Sequence, residues 1–245
     1  MAEKAALITG GSSGIGLAIA RALGEDGYGL TVSARRPEKL EAAVEDLRSA
    51  GFEVESVPAN MADEEQLGRL VDTHREKYGR LDVLLNNAGV GIGEAMHALT
   101  TKYVDMQLGV NLRATILTTR ECLPLLREAG AEHGKALIVN TASISGKAGQ
   151  AWLSVYSATK AAVIGFSQAT QAEVAGQGIQ VTALAPAFVD TPMTDFAKGQ
   201  VAAEEMIRPE DIAESVRFLL RTSPNCLVPE IMFLRPGDSP QNPAP

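Results

Sequence analysis

The chain has 245 residues, 45% of them hydrophobic and 21% charged, and a formal net charge of −8. This is an ordinary globular composition with enough apolar material for one large α/β core. The acidic balance argues against non-specific nucleic-acid binding, which needs a basic surface, and no run approaches the roughly 18 apolar residues of a membrane span.

Strand and helix alternate nearly throughout. Ala5–Thr9 reads as a first strand. A Gly-rich turn follows, then a helix from Gly14 to about Asp26 with Ile15, Ile19, Ala22 and Leu23 on one side. Gly29–Ala34 reads as a second strand, and Pro37 opens a helix that carries Leu40, Val44 and Leu47 and stops near Gly51. Residues 53–58 form the third predicted strand, and Asp63 caps a helix through Leu67, Leu70 and Val71. The fourth strand, 81–86, ends in Asn86-Asn87-Ala88-Gly89. A long helix is expected over 101–129, a strand at Ala136–Thr141, a helix over 151–176 and a strand at 179–185. The segment 191–208 reads as a loop with a short helix, Pro209 starts a helix through Leu220, and 230–234 is a last strand.

Seven strands separated by helices predict a doubly wound, Rossmann-type α/β fold: a mostly parallel seven-stranded sheet with helices on both faces. No linker or repeat marks a second domain. One catalytic domain over 1–235 is expected, with a Pro-rich tail over 236–245 that is mobile or packed on a neighbouring subunit. Cys122 and Cys226 form no short-spaced pair and are expected as free, mostly buried thiols. His74, His97 and His133 lie in polar or mixed contexts and are expected on the surface or in loops; no metal site is expected. Met1 to Lys4 leads straight into the first strand without a signal-peptide pattern, so a cytoplasmic protein is expected.

The turn Thr9-Gly10-Gly11-Ser12-Ser13-Gly14-Ile15-Gly16 lies between the first strand and the first helix. Backbone N–H groups at a helix N-terminus hold anions, and glycines remove the Cβ atoms that would block the approach. That context predicts a nucleotide site. NAD enzymes usually place Asp or Glu at the end of the second strand to accept from the ribose 2′-OH. Here Ala34 stands there, followed by Arg35 and Arg36. Two guanidiniums would pair with a 2′-phosphate, each bond contributing roughly 1.5–3 kcal/mol, so NADP(H) is the expected cofactor. The alternative is that Arg35 and Arg36 only solvate a loop.

Of the four tyrosines, only Tyr156 is followed four residues later by Lys, at Lys160. Such a pair shares one helix face. Reducing a ketone takes a hydride to carbon and a proton to oxygen. A phenol with a pKa near 10 needs a neighbouring cation before it exchanges protons readily at neutral pH. Ser143 follows the fifth strand and can hydrogen-bond the substrate oxygen. Taken alone, Tyr156 and Lys160 would suit an ordinary amphipathic helix. Their order after the Gly-rich turn, Asn86-Asn87-Ala88-Gly89 and Ser143 points to chemistry.

The spacing Gly10-x3-Gly14-x-Gly16, with Ser143, Tyr156 and Lys160, resembles the short-chain dehydrogenase/reductase family, including its 3-oxoacyl carrier-protein reductases, from Ala5 to about Leu234. The resemblance implies that Tyr156 is the general acid in reduction, that Lys160 holds the nicotinamide ribose and lowers the tyrosine pKa, and that Ser143 orients the carbonyl. It implies that Asn111 helps hold a proton-relay water. It places Gly10, Ser12, Ser13, Gly14, Ile15 and Gly16 at the pyrophosphate, Arg35 and Arg36 at the 2′-phosphate, and Asn60 and Met61 by the adenine. Asn87, Ala88 and Gly89 would border the adenine ribose and the nicotinamide side of the cleft, and the segment from Pro186 would place Val189 and Thr191 near the nicotinamide carboxamide and pyrophosphate. Three departures stand out: Ala187 where the family usually has Gly, Asn60 where it has Asp, and a C-terminus without the common Gly-rich ending.

Ile144, Trp152, Phe188 and Met193 are candidate substrate-lining residues. Trp152 would lie one helical turn before Tyr156, either at the pocket mouth or merely packing the helix. The expected activity is NADPH-dependent reduction of a ketone, 3-oxoacyl thioesters included. The alternatives are an alcohol or sugar dehydrogenase working oxidatively and a non-catalytic NADP-binding sensor. The partners expected are a small carbonyl or alcohol substrate and further copies of the chain, as a homodimer or homotetramer, through the helices over 101–129 and 151–176; no nucleic acid and no membrane are expected.

Overall fold

A computed structural model describes residues 2–199 and 201–239. The strands are β1 (Ala5–Thr9), β2 (Gly29–Ala34), β3 (Val54–Pro58), β4 (Val83–Asn86), β5 (Ala136–Thr141), β6 (Ile179–Pro186) and β7 (Glu230–Phe233). The helices are α1 (Gly14–Glu25), α2 (Pro37–Ser49), α3 (Glu64–Tyr78), α4 (Thr101–Gln107), α5 (Ala114–His133), α6 (Ser154–Val174) and α7 (Pro209–Arg221).

All seven strands pair in parallel, in the order β3-β2-β1-β4-β5-β6-β7. The sheet is therefore parallel throughout. It is Rossmann-like and forms a single domain. The chain runs outward from β1 to β3, then returns to β4 on the other side of β1. A crevice opens where the order reverses, at the carboxyl ends of β1 and β4.

The central strands are apolar runs because both sheet faces are covered. On one face Ile8, Leu30, Val32 and Val139 meet Ile19 and Leu23 of α1, Leu40 and Val44 of α2, and Ile212 and Val216 of α7. On the other, Leu7, Leu84, Ile138 and Val181 meet Leu67 and Leu70 of α3 and Leu117 and Leu126 of α5. The predicted cap at Asp63 is present: its Oδ1 accepts from Glu65 N at 3.0 Å and Gln66 N at 3.2 Å. Among the described residues no helix is long and apolar enough to cross a membrane.

Several expectations need correction. The predicted long helix is α4 and α5 joined through a π-helical turn at Leu108–Arg113. α6 starts at Ser154, so Trp152 precedes the helix and has φ +69°. The segment expected as a loop with a short helix holds two 3-10 turns, Asp195–Ala197 and Ala203–Glu205. β3 starts at Val54, β4 at Val83, and β7 ends at Phe233. Cys122 is buried but Cys226 is exposed. Of the predicted tail, 240–245 lies outside the described residues.

The clearest misreading is His74, which is fully buried. Its Nε2 lies 2.8 Å from the Arg80 carbonyl oxygen and its Nδ1 2.8 Å from Thr31 Oγ1. A carbonyl only accepts, so Nε2 carries the proton and Nδ1 accepts from the threonine hydroxyl. Burial pushes the imidazole pKa down to about 4, against the pull of the Arg80 carbonyl.

Candidate active site

The crevice is built first by glycines. Gly10 has φ +68°, and a Cβ there would lie 2.8 Å from the Ala88 Cα. A Cβ on Gly16 would lie 2.5 Å from the Gly10 carbonyl oxygen and 2.6 Å from Asn87 Nδ2. The turn after β1 and the end of β4 thus touch backbone to backbone. Thr9 and Asn87 stitch them together. Thr9 Oγ1 accepts from Asn87 N at 3.0 Å and Ala88 N at 3.1 Å, while Asn87 Nδ2 donates to Gly10 O at 3.1 Å. Ser13 precedes α1, but its side chain does not cap the helix. The first N–H groups of α1 therefore have no side-chain acceptor, which suits an anion.

A cleft of about 1300 Å³, open to solvent, runs along these strand ends. Gly10, Ser12, Ser13, Gly14 and Ile15 line one stretch of it, and Arg35 and Arg36 the next. Asn60 and Met61 follow the end of β3, and Asn87, Ala88 and Gly89 follow β4. Pro186, Val189 and Thr191 close the far side with Ser143, Tyr156 and Lys160. Gly16 does not line the cleft; it sits beneath the turn. Arg35 and Arg36 are exposed and have no acidic partner among the described residues, whereas nearby Arg21 and Arg48 pair with Asp46 and Glu41. Asn60 Oδ1 accepts from Ala62 N at 3.3 Å and so shapes its own turn. Ala187 fits without strain: Trp152 is the only described non-glycine residue with positive φ.

Tyr156 lies in the first turn of α6 and Lys160 one turn later. The Lys160 Nζ donates to the Thr141 carbonyl oxygen at 2.6 Å and lies 5.6 Å from the centre of the Tyr156 ring. Burial holds the phenol pKa above its usual value, while a hydrogen bond with Ser143 pulls it down. Burial brings the Lys160 pKa down to about 8. Ser143 Oγ accepts from Ser145 N at 3.1 Å, which fixes the hydroxyl at the end of β5.

Asn111 stands behind these groups and lines no part of the cleft. It sits in the π-helical turn, buried, and grips the chain after β4. Its Oδ1 accepts from Val90 N at 2.8 Å, and its Nδ2 donates to Val90 O at 2.9 Å and to Thr159 Oγ1 at 3.1 Å. Both amide hydrogens are occupied, so the side chain positions a loop.

A second space of about 880 Å³ joins the cleft at Ser143 and Tyr156. Ile144, Trp152, Phe188 and Met193, all predicted, line it. Gly91, Gly93 and Phe196 line it as well. Thr159 and Thr141 were missed altogether. Thr141 contributes a backbone carbonyl to Lys160, for which no side-chain signal exists.

The family described as short chain dehydrogenase matches residues 4–201. A Streptomyces coelicolor protein, provisionally named a ketoacyl reductase, is 35% identical over 239 residues, covering 89% of this chain and 90% of its own. A tryptophan variant of actinorhodin polyketide ketoreductase with NADPH superposes with a TM-score of 0.86 at 32% identity, covering 95% of this chain and 97% of that one. The 3-ketoacyl-(acyl-carrier-protein) reductase of Brucella melitensis, complexed with NADH, gives 0.84 at 28% identity, covering 94% and 96%.

Proposed function

We propose that this chain, an oxidoreductase that belongs to the short-chain dehydrogenase family, reduces ketones with NADPH, 3-oxoacyl thioesters being among the candidate substrates. The observation that carries the reading is the junction of two spaces. Ser143 and Tyr156 lie where a long cleft with an anion-binding turn meets a largely apolar pocket. The dinucleotide would lie along the cleft, its pyrophosphate at Gly10, Ser12, Ser13, Gly14 and Ile15. Asn60 and Met61 would border the adenine, Asn87, Ala88, Gly89 and Lys160 the riboses, and Pro186, Val189 and Thr191 the nicotinamide.

When bound, the nicotinamide supplies the hydride. Tyr156 holds the proton that goes to the carbonyl oxygen, and Ser143 donates to that same oxygen. The Lys160 ammonium, charged below its pKa of about 8, favours phenolate and opposes the effect of burial on Tyr156. Asn111 acts through the loop at Val90.

NADPH is favoured over NADH by two guanidiniums, without acidic partners among the described residues, where a carboxylate would be needed. Solved relatives hold either cofactor, so the reading rests on Arg35 and Arg36. The reading includes a homo-oligomer, supported by Leu108 and Ile116, which are exposed along the helices expected at the interface.

The test is Tyr156→Phe. Fluorescence of bound NADPH should be unchanged, while ketone-dependent oxidation of NADPH should fall by about 10²-fold or more, the scale of a general acid. Turnover near the wild-type rate would refute the assignment.

A further inference from the structure

Trp152 has φ +69°, a region that non-glycine residues keep only where neighbours hold them there. Its carbonyl oxygen accepts from Glu94 N at 2.8 Å. Its indole lies directly over Gly93, where a Cβ would come within 2.3 Å of the ring. The indole is thereby propped outward, 53% exposed, in an edge-to-face arrangement with Phe196 at 6.1 Å between centroids and 61° between planes. Phe196 is 61% exposed and Met193 47%. Three large apolar side chains facing solvent around one opening form a patch of the kind that marks a binding surface.

The chemistry of the pocket behind them narrows the ligand. Aromatic residues make up only 4% of the chain, yet its sole tryptophan, two of its six phenylalanines and Tyr156 line this one space. No charged side chain lines it among the described residues. The neighbouring cations are neutralised within the chain. Lys198 is held by Asp190 at 3.0 Å and Asp195 at 2.9 Å, and Arg235, which stacks on Phe188, is held by Asp238. A phosphate-bearing thioester would therefore find both of these cations already paired.

We propose that Trp152 and Phe196 form an aromatic clamp that selects ketones carrying an uncharged, flat ring system. The ring lies against the indole while the carbonyl reaches Ser143 and Tyr156. Aromatic rings gain from edge-to-face and offset contacts with another π system, and a flat ring loses less conformational freedom on binding than an acyl chain of equal size. The proposal rests on the reductase reading for its kinetic arm only.

The experiment pairs tetralone with a linear decanone of the same carbon count. Because Trp152 is the only tryptophan, its fluorescence reports binding directly, without turnover. Tetralone should change that fluorescence saturably, and the decanone should not do so over the same range. With NADPH, Phe196→Ala and Trp152→Ala should lower the tetralone-to-decanone ratio of kcat/KM by about tenfold, the worth of one good aromatic contact. The loss should appear in KM, and Trp152→Phe should restore most of it. No fluorescence response to tetralone, or an unchanged ratio in both alanine variants, overturns the clamp. If neither ketone is turned over, a saturable response specific to tetralone supports the clamp and places the failure in the reductase reading.

Discussion

The Lys160 ammonium is anchored on the Thr141 carbonyl at 2.6 Å and lies over the Tyr156 ring, whose centre is 5.6 Å away. One buried donor thus joins the end of β5 to the face of Tyr156. Burial brings its pKa from 10.5 to about 8, which disfavours the charged form by about 3 kcal/mol. Between those two pH values the unfolded chain binds more protons, so this group makes stability rise with pH across that window. Lys160→Met should therefore be inactive yet more stable than wild type at pH 7, and that advantage should shrink as pH rises from 8 toward 10.5. Urea midpoints of both proteins along that pH range measure it. A gap that widens with pH would contradict the assignment.

Arg35 and Arg36 lie at the cleft without acidic partners among the described residues. Their double replacement by alanine should raise KM for NADPH by about 10- to 100-fold, the worth of one or more charge-assisted bonds. KM for NADH, which lacks the 2′-phosphate, should stay within about twofold. Equal loss with both cofactors would mean that the arginines only hold the loop.

Much of this arrangement was legible in the sequence. β1, β2 and β5 fall where expected because a buried parallel strand is an apolar run bounded by turn residues. Gly10 and Gly16 of the first turn are legible because the close approach of Ala88 and Asn87 leaves room for nothing larger. His74 was misread because its immediate neighbours, Thr73 and Arg75, are polar. The helical spacing of Leu67, Leu70, Val71, His74 and Tyr78, all on the buried face of α3, carries the signal that neighbour-by-neighbour reading loses. The Trp152–Phe196 pair had no such signal. The two residues are brought together by the β6–α7 segment folding back over the start of α6, which no local pattern encodes.

The buried position of His74 has an acid consequence. Its folded pKa of about 4 lies below the unfolded value of 6.5, so its contribution to stability is complete above pH 6.5 and is lost as pH falls through about 4. The full loss is about 3 kcal/mol. His74→Gln does not titrate, so it should lose less stability than wild type between pH 7 and pH 4.5 by urea denaturation. Equal losses would show that the acid sensitivity arises from carboxylates alone.

Asn111 and Thr159 connect the loop after β4 to the backbone of Tyr156. Thr159 Oγ1 accepts from Asn111 Nδ2 at 3.1 Å and donates to the Tyr156 carbonyl at 2.7 Å. Asn111→Leu would leave the Val90 N–H and C=O unpaired, at about 1–3 kcal/mol for each buried group. Thr159→Val is the gentler probe. It keeps the shape and removes only the hydroxyl between the two, costing about 1 kcal/mol of stability. If this relay positions Tyr156, Thr159→Val should lower kcat several-fold while leaving KM for NADPH unchanged, because none of the cleft-lining groups is altered. A fall in NADPH affinity with kcat intact would instead assign the relay to shaping the cleft at Gly89 and Val90. The distinction matters because Asn111 sits in a π-helical turn, where an extra residue in the helical register carries its side chain toward Val90 and Thr159. Restoring regular α-helix by deleting one residue of Leu108–Arg113 should abolish both contacts together, and with them the coupling between the loop and α6.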